Sequence, residues 1–136
     1  MKKIFLTTAI IMAAVSCGNK NPFLSGWDTP YGIPDFTQIE ESHYIPAIEY
    51  GIRQQQEEID DIIANQEAPT FANVVEAYER SGAVLDRVSM VLFNVSESDA
   101  TESLQKIVEE ALPLISVHSD NIFMNPDFFK KVDALF

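Results

Sequence analysis

Between Ser42 and Ile63, apolar residues return at alternating three- and four-residue steps: Ile45, Ile48, Ile52, Ile59 and Ile62, with Gln55 the one polar member of the row. That period predicts a single long amphipathic helix whose apolar stripe must be covered by other elements, so the rest of the chain is organised around it. Ser42 is the candidate N-cap, and Pro46 lies near enough to that end to do little damage. Asn65, followed by Pro69, marks the exit, with Asn65 expected in the left-handed conformation. Glu49 stands one turn before Arg53, the favourable order for a surface ion pair, whereas Glu57, Glu58, Asp60 and Asp61 crowd the C-terminal end against the helix dipole. Packing, rather than electrostatics, is expected to hold this helix.

Downstream, Thr70 is placed to cap a second helix whose stripe runs through Phe71, Val74, Val75, Tyr78, Gly82, Leu85, Val88, Leu92 and Val95. Gly82 inside that helix costs about 1 kcal/mol relative to alanine, a cost that a closely packed backbone would explain. A break at 94–98 and a capping box from Asp99 and Glu102 introduce a third helix, lined by Leu104, Ile107, Ala111, Leu114 and Ile115. Pro113 is expected to kink it at a cost of roughly 3 kcal/mol. Asn125 and Pro126 restart the chain as N-cap and first residue of a fourth helix carrying Phe128, Phe129, Val132, Leu135 and Phe136. No strand-like alternation appears after residue 36, so the predicted class is all-α with about four helices. The last helix carries no closing signal at Phe136, the pattern expected of a piece of a longer protein.

The start of the chain has a different plan. Lys2 and Lys3 precede an apolar run from Ile4 to Val15, followed by small residues, the layout of a bacterial export signal. The run closes as Ala14-Val15-Ser16-Cys17, which resembles a lipoprotein signal, and Cys17 is the predicted lipidation site. Several acyl chains on one residue would anchor the protein stably at a membrane, placing it in the cell envelope or periplasm. The predicted organisation is an export signal over 1–16, a lipid-anchored tether and extended arm over 17–36, and a helical N-terminal subdomain over 37–136. Trp27, Tyr31, Ile33 and Phe36 are too apolar for a pure linker and are expected to lie buried across the helical body.

Composition narrows the functional classes. With 136 residues, 46% of them apolar and 22% charged, the chain supports at most one globular domain. Nine Lys and Arg against 21 Asp and Glu give a net charge of −12, which argues against nucleic-acid binding. A single cysteine excludes an internal disulfide and any cysteine-cluster zinc site. Glu40 and His43 have the three-residue spacing of helical-bundle di-iron sites, but Ile115 stands where a second glutamate would have to precede His118. No His-Glu-x-x-His, Gly-x-Ser-x-Gly or phosphate-binding glycine loop is present, and the Asp60–Asp61 and Glu109–Glu110 pairs read as solvated surface. No residue of this chain is assigned a catalytic, cofactor-binding or metal-binding role.

Asn21-Pro22-Phe23, Thr29-Pro30-Tyr31-Gly32-Ile33-Pro34, His43-Tyr44-Ile45-Pro46-Ala47, Gln54-Gln55, Glu58-Ile59, Ala68-Pro69-Thr70-Phe71 and Ser81-Gly82 follow one another in an order that resembles the N-terminal region of bacterial peptidyl-dipeptidases, in the thimet oligopeptidase family of zinc metallopeptidases. The resemblance implies the helical N-terminal portion of a larger two-lobed protein, in which such helices help enclose a channel for short peptides. It further implies that zinc belongs to the intact parent, held by a His-Glu-x-x-His pair and a later glutamate, and that this chain alone is inactive. The expected partners are short peptide substrates, the remainder of the peptidase chain and, through Cys17, a membrane. The competing reading is a free-standing helical lipoprotein that binds a partner without chemistry.

Overall fold

The computed structural model describes residues 21–136, and the predicted export signal and Cys17 lie outside the described residues. The long stripe folds as a helix, α1, over Tyr44–Ala64. It is followed by α2 (Phe71–Arg80), α3 (Ala83–Ser98), α4 (Glu102–Phe123) and α5 (Pro126–Asp133), with no strand among the described residues. The predicted all-α class holds, with five α-helices rather than four among the described residues. The difference lies at Ser81–Gly82. Gly82 adopts φ 75°, a left-handed conformation that glycine takes without steric cost, and the expected second helix divides there into α2 and α3.

The central helix touches each of the other four. Its first half enters one core cluster, where Tyr44, Ala47 and Ile48 pack with Leu85, Val88 and Leu92 of α3 and with Leu104 and Ala111 of α4. Its second half enters another, where Ile59 and Ile62 meet Ile122 and Phe128. Both clusters draw on the predicted row, Ile48, Ile59 and Ile62 being buried. At Gly51, α1 and α3 approach so closely that a Cβ would lie 2.7 Å from Leu85 N and 2.8 Å from Leu85 Cα. The close backbone approach expected at Gly82 therefore occurs at Gly51. At Gly82 a Cβ would strike the Gln55 side chain instead.

Several helix ends differ from expectation in chemistry rather than in place. Entry to α1 is made by a 3-10 turn over Glu41–His43, in which the Glu40 N–H donates to His43 Nδ1 at 3.0 Å, in place of a Ser42 cap. Asn65 is not left-handed (φ −58°, ψ 123°); its side chain accepts from the Glu67 N–H at 2.9 Å, while its carbonyl accepts from Lys131 Nζ. That ammonium supplies the C-terminus of α1 with the positive charge its own sequence lacks. Glu49 and Arg53 are not among the three ion pairs of the described residues. Thr70 caps α2 as predicted, accepting from Asn73 N at 3.2 Å while Asn73 Oδ1 accepts from Thr70 N at 2.7 Å. The break at 94–98 is absent because α3 continues to Ser98, and α4 is capped by Thr101, which accepts from Leu104 N, rather than by Asp99. The α4 helix runs through Pro113 without interruption. Asn125 caps α5 as expected, accepting from Asp127 N and Phe128 N.

The arm is held by Phe23, which is fully buried against Tyr44 at 5.2 Å between ring centroids. Asn21 Nδ2 donates to the His43 carbonyl at 2.7 Å. Arg87 of α3 donates to the Phe23 and Ser25 carbonyls at 3.0 and 2.6 Å and lies 5.3 Å from the Trp27 ring centroid. The expected burial beyond Trp27 fails: Tyr31 is 97% exposed, and Ile33 and Phe36 are also exposed. Tyr31 and Gly32 both take positive φ there, and the arm beyond them borders a groove along α3 instead of burying these side chains.

Candidate functional site: a buried polar relay and the grooves around it

Gln55, the polar interruption of the α1 stripe, lies where α1, α4 and the α2–α3 corner meet. Its Oε1 lies 3.0 Å from Nε2 of buried His118 on α4, and its Nε2 donates to Ser81 Oγ at 3.2 Å. Ser81 Oγ in turn donates to the Tyr78 carbonyl at 2.7 Å. With the amide in this orientation, the imidazole carries its proton on Nε2. One turn along α1, Glu58 accepts from the Gly82 N–H at 2.7 Å, fixing the left-handed residue, and from Gln54 Nε2 at 3.0 Å. The relay satisfies polar groups that would otherwise be buried without partners.

Burial pulls the His118 pKa below the ordinary imidazole value. A charged ring is disfavoured there, because burial strips the imidazolium of its hydration. The relay also has the wrong order for nucleophilic catalysis. An amide stands between His118 and Ser81 and cannot accept the hydroxyl proton, and that hydroxyl already donates to a carbonyl.

The other sequence candidates remain apart from this site. Glu40 and His43 are spent on capping one another's turn. Asp60, Asp61, Glu109 and Glu110 are exposed, as expected of solvated surface. Among the described residues, no group of three or more His, Cys, Asp or Glu side chains is arranged to hold a metal ion. No helix among them is long and apolar enough to cross a membrane.

Three of the concave surfaces among the described residues lie beside the relay or the arm. A cleft of about 540 Å³ with a mixed lining lies between α1 and α2, edged by Glu58, Asp61, Asn73 and Arg80 and floored in part by Ile62 and Ala77. A second, of about 270 Å³, is almost wholly apolar and lies between α2, the end of α4 and α5, lined by Val74, Val75, Tyr78, Phe123, Phe128, Phe129 and Val132. Tyr78 stacks there 5.7 Å from Phe123 and 5.6 Å from Phe128. The third, of about 510 Å³, runs between the arm and α3 past Trp27, Ile33, Phe36, Met90 and Val91. None of the three brings a nucleophile into hydrogen-bond contact with a base.

Sequence reasoning missed Gln55 as a functional polar group, Gly51 as the tight crossing and Phe23 as the arm's anchor. The first had a visible signal, a polar residue on an apolar stripe. The other two had none in periodicity, since Gly51 and Phe23 are identified only by what lies opposite them.

No family model matches the chain. It is 36% identical over 115 residues to the dipeptidyl carboxypeptidase of Salmonella typhimurium and, equally, to that of Escherichia coli. The match covers 85% of this chain and 17% of each relative. Oligopeptidase A of Escherichia coli is 24% identical over 110 residues, 81% of this chain and 16% of its own length. The chain is therefore a homologue of a stretch of the dipeptidyl carboxypeptidases, and more distantly of oligopeptidase A, spanning 17% of the length of the dipeptidyl carboxypeptidases it matches.

Proposed function

We propose that this chain is the N-terminal helical part of an exported zinc peptidase that removes dipeptides from the C-terminal ends of short peptides, and that its helices form part of the substrate enclosure. The observation that carries the reading is the 36% identity to dipeptidyl carboxypeptidases across 85% of the chain. Packing surfaces without a catalytic constellation agree with an enclosing rather than a reacting role. The donor set present here does not fit zinc. His43 Nδ1 accepts from the Glu40 N–H, His118 lies buried on another helix, and neither belongs to a group of three His, Cys, Asp or Glu side chains that could hold a metal among the described residues. The proposal assigns the metal and the chemistry to other residues of the parent. Lipid anchoring at Cys17 completes the proposal, supported by the Ala14-Val15-Ser16-Cys17 sequence after the apolar run.

Two experiments test it. The parent reading frame should encode His-Glu-x-x-His, because histidines at i and i+4 share one helix face and reach one metal. A frame that continues without that motif would leave the peptidase reading without its chemistry and favour the partner-binding lipoprotein. In the native host, Cys17→Ala should abolish lipid labelling, and acyl label persisting on the variant would end the anchor proposal.

A further inference from the structure

The groove between α2, α4 and α5 carries features that a solvent-facing surface does not need. Phe123 and Phe129 stand 62% and 60% exposed in its lining, which is almost wholly apolar. Beside the Tyr78 phenol that lines it, the charges of Glu79 and Asp86 are left without a cation. Burial, then the charges of Glu79 and Asp86, raise the Tyr78 phenol pKa, and burial followed by Glu79 raises the Asp86 carboxyl. Neither acid takes part in the three ion pairs of the described residues, and Arg80, next to Glu79, is engaged by Glu76. Like charges beside a partly desolvated aromatic edge are unfavourable until a cation joins them. The apolar groove along the arm lacks this character: Arg87 lines it, and that guanidinium is already committed to the Phe23 and Ser25 carbonyls.

We propose that the groove between α2, α4 and α5 seats an amphipathic helix of the longer parent polypeptide, which lays an apolar row over Val75, Phe123 and Phe129 and brings an Arg or Lys to Glu79 and Asp86. The inference rests on the parent reading given under Proposed function. The occupant is a helix because the groove is bounded by helices, whose ridges receive side chains at three- and four-residue spacing. It comes from the parent because the match covers only 17% of the dipeptidyl carboxypeptidases, leaving most of their polypeptide to supply it. A second copy of this chain is disfavoured, since a net charge of −12 would set carboxylates against carboxylates.

Hydroxyl-radical footprinting of the purified intact gene product tests the inference, with buried Phe23 as internal floor. Phe123 and Phe129 should label no faster than Phe23. In the Glu79→Lys, Asp86→Lys double variant their labelling should rise severalfold while Phe23 stays protected. Labelling of Phe123 and Phe129 severalfold above Phe23 in the unmodified protein would overturn the docking. Unchanged protection after charge reversal would overturn the cationic helix. Dipeptide release from the same sample separates this inference from the peptidase reading. A protected groove without release would sink only the peptidase reading, and release with an open groove would sink only the docking.

Discussion

Replacing Gly51 with alanine should destabilise this protein, against the ordinary preference of helices. In a helix interior, alanine is favoured over glycine by about 1 kcal/mol. Here the added Cβ would stand 2.7 Å from Leu85 N, 2.8 Å from Leu85 Cα and 3.0 Å from Leu85 Cβ. Two of those atoms are backbone, so α3 must move as a body rather than turn a side chain aside. Buried Ile48, Leu85 and Val88 of the same cluster would lose contact as it does. Overpacking typically costs about 1–3 kcal/mol, and a backbone clash belongs at the upper end, leaving a net loss of roughly 2 kcal/mol after the helix-propensity gain. For a domain of this size that corresponds to a fall in Tm of roughly 8 °C. Thermal and urea unfolding of Gly51→Ala, with Gly26→Ala as control because nothing lies within 4 Å of a Cβ there, provides the assay. An unchanged or raised Tm in Gly51→Ala would refute the α1–α3 crossing described above.

Three further outcomes follow from the same contacts. Gln55→Ala strands His118 Nε2 and removes the donor to Ser81 Oγ, and should cost about 1–3 kcal/mol in urea unfolding, with a double-mutant cycle against His118→Leu recovering part of the loss. Burial lowers the His118 pKa, so the unfolded chain binds that proton more readily. Its contribution to stability is then full above the unfolded pKa and declines as pH falls below about 6.5 towards the folded value. Urea unfolding at stepped pH should show less of this slope in His118→Gln than in the unsubstituted protein. Phe23→Ala should cost about 3–5 kcal/mol and shift Trp27 fluorescence to the red as the arm releases, whereas Tyr31→Ala, at a fully exposed tip, should leave both readings unchanged.

The period of Ile45 to Ile62 was enough to place α1 and make it the organising helix, because one apolar stripe of that length needs neighbours along all of it. Thr70 and Asn125 were legible as caps because a side-chain oxygen beside free N–H groups acts locally. Less legible were the features that depend on what lies across the fold. The helical period continues through Gly82, so nothing in the stripe shows that Glu58 and Gln55 pin that residue into a left-handed turn. Asp99 and Thr101 are both acceptable caps by composition, and the choice depends on α3 persisting to Ser98. For the arm, hydrophobicity alone favoured Tyr31 and Phe36 as anchors. The actual anchor is Phe23, selected by Tyr44 and Arg87 on distant elements. Of the site, Gln55 was visible as an anomaly, while its bonds to His118 and Ser81 span 63 and 26 residues and required the fold.

Release of C-terminal dipeptides from short peptides by the intact gene product is the most direct test of the proposed function. Mass spectrometry of a free-ended octapeptide incubated with the purified protein should show products shortened two residues at a time from the C-terminus. Release should be lost on chelation and regained on adding zinc. Intact octapeptide after incubation of a folded, zinc-supplemented gene product would contradict the account.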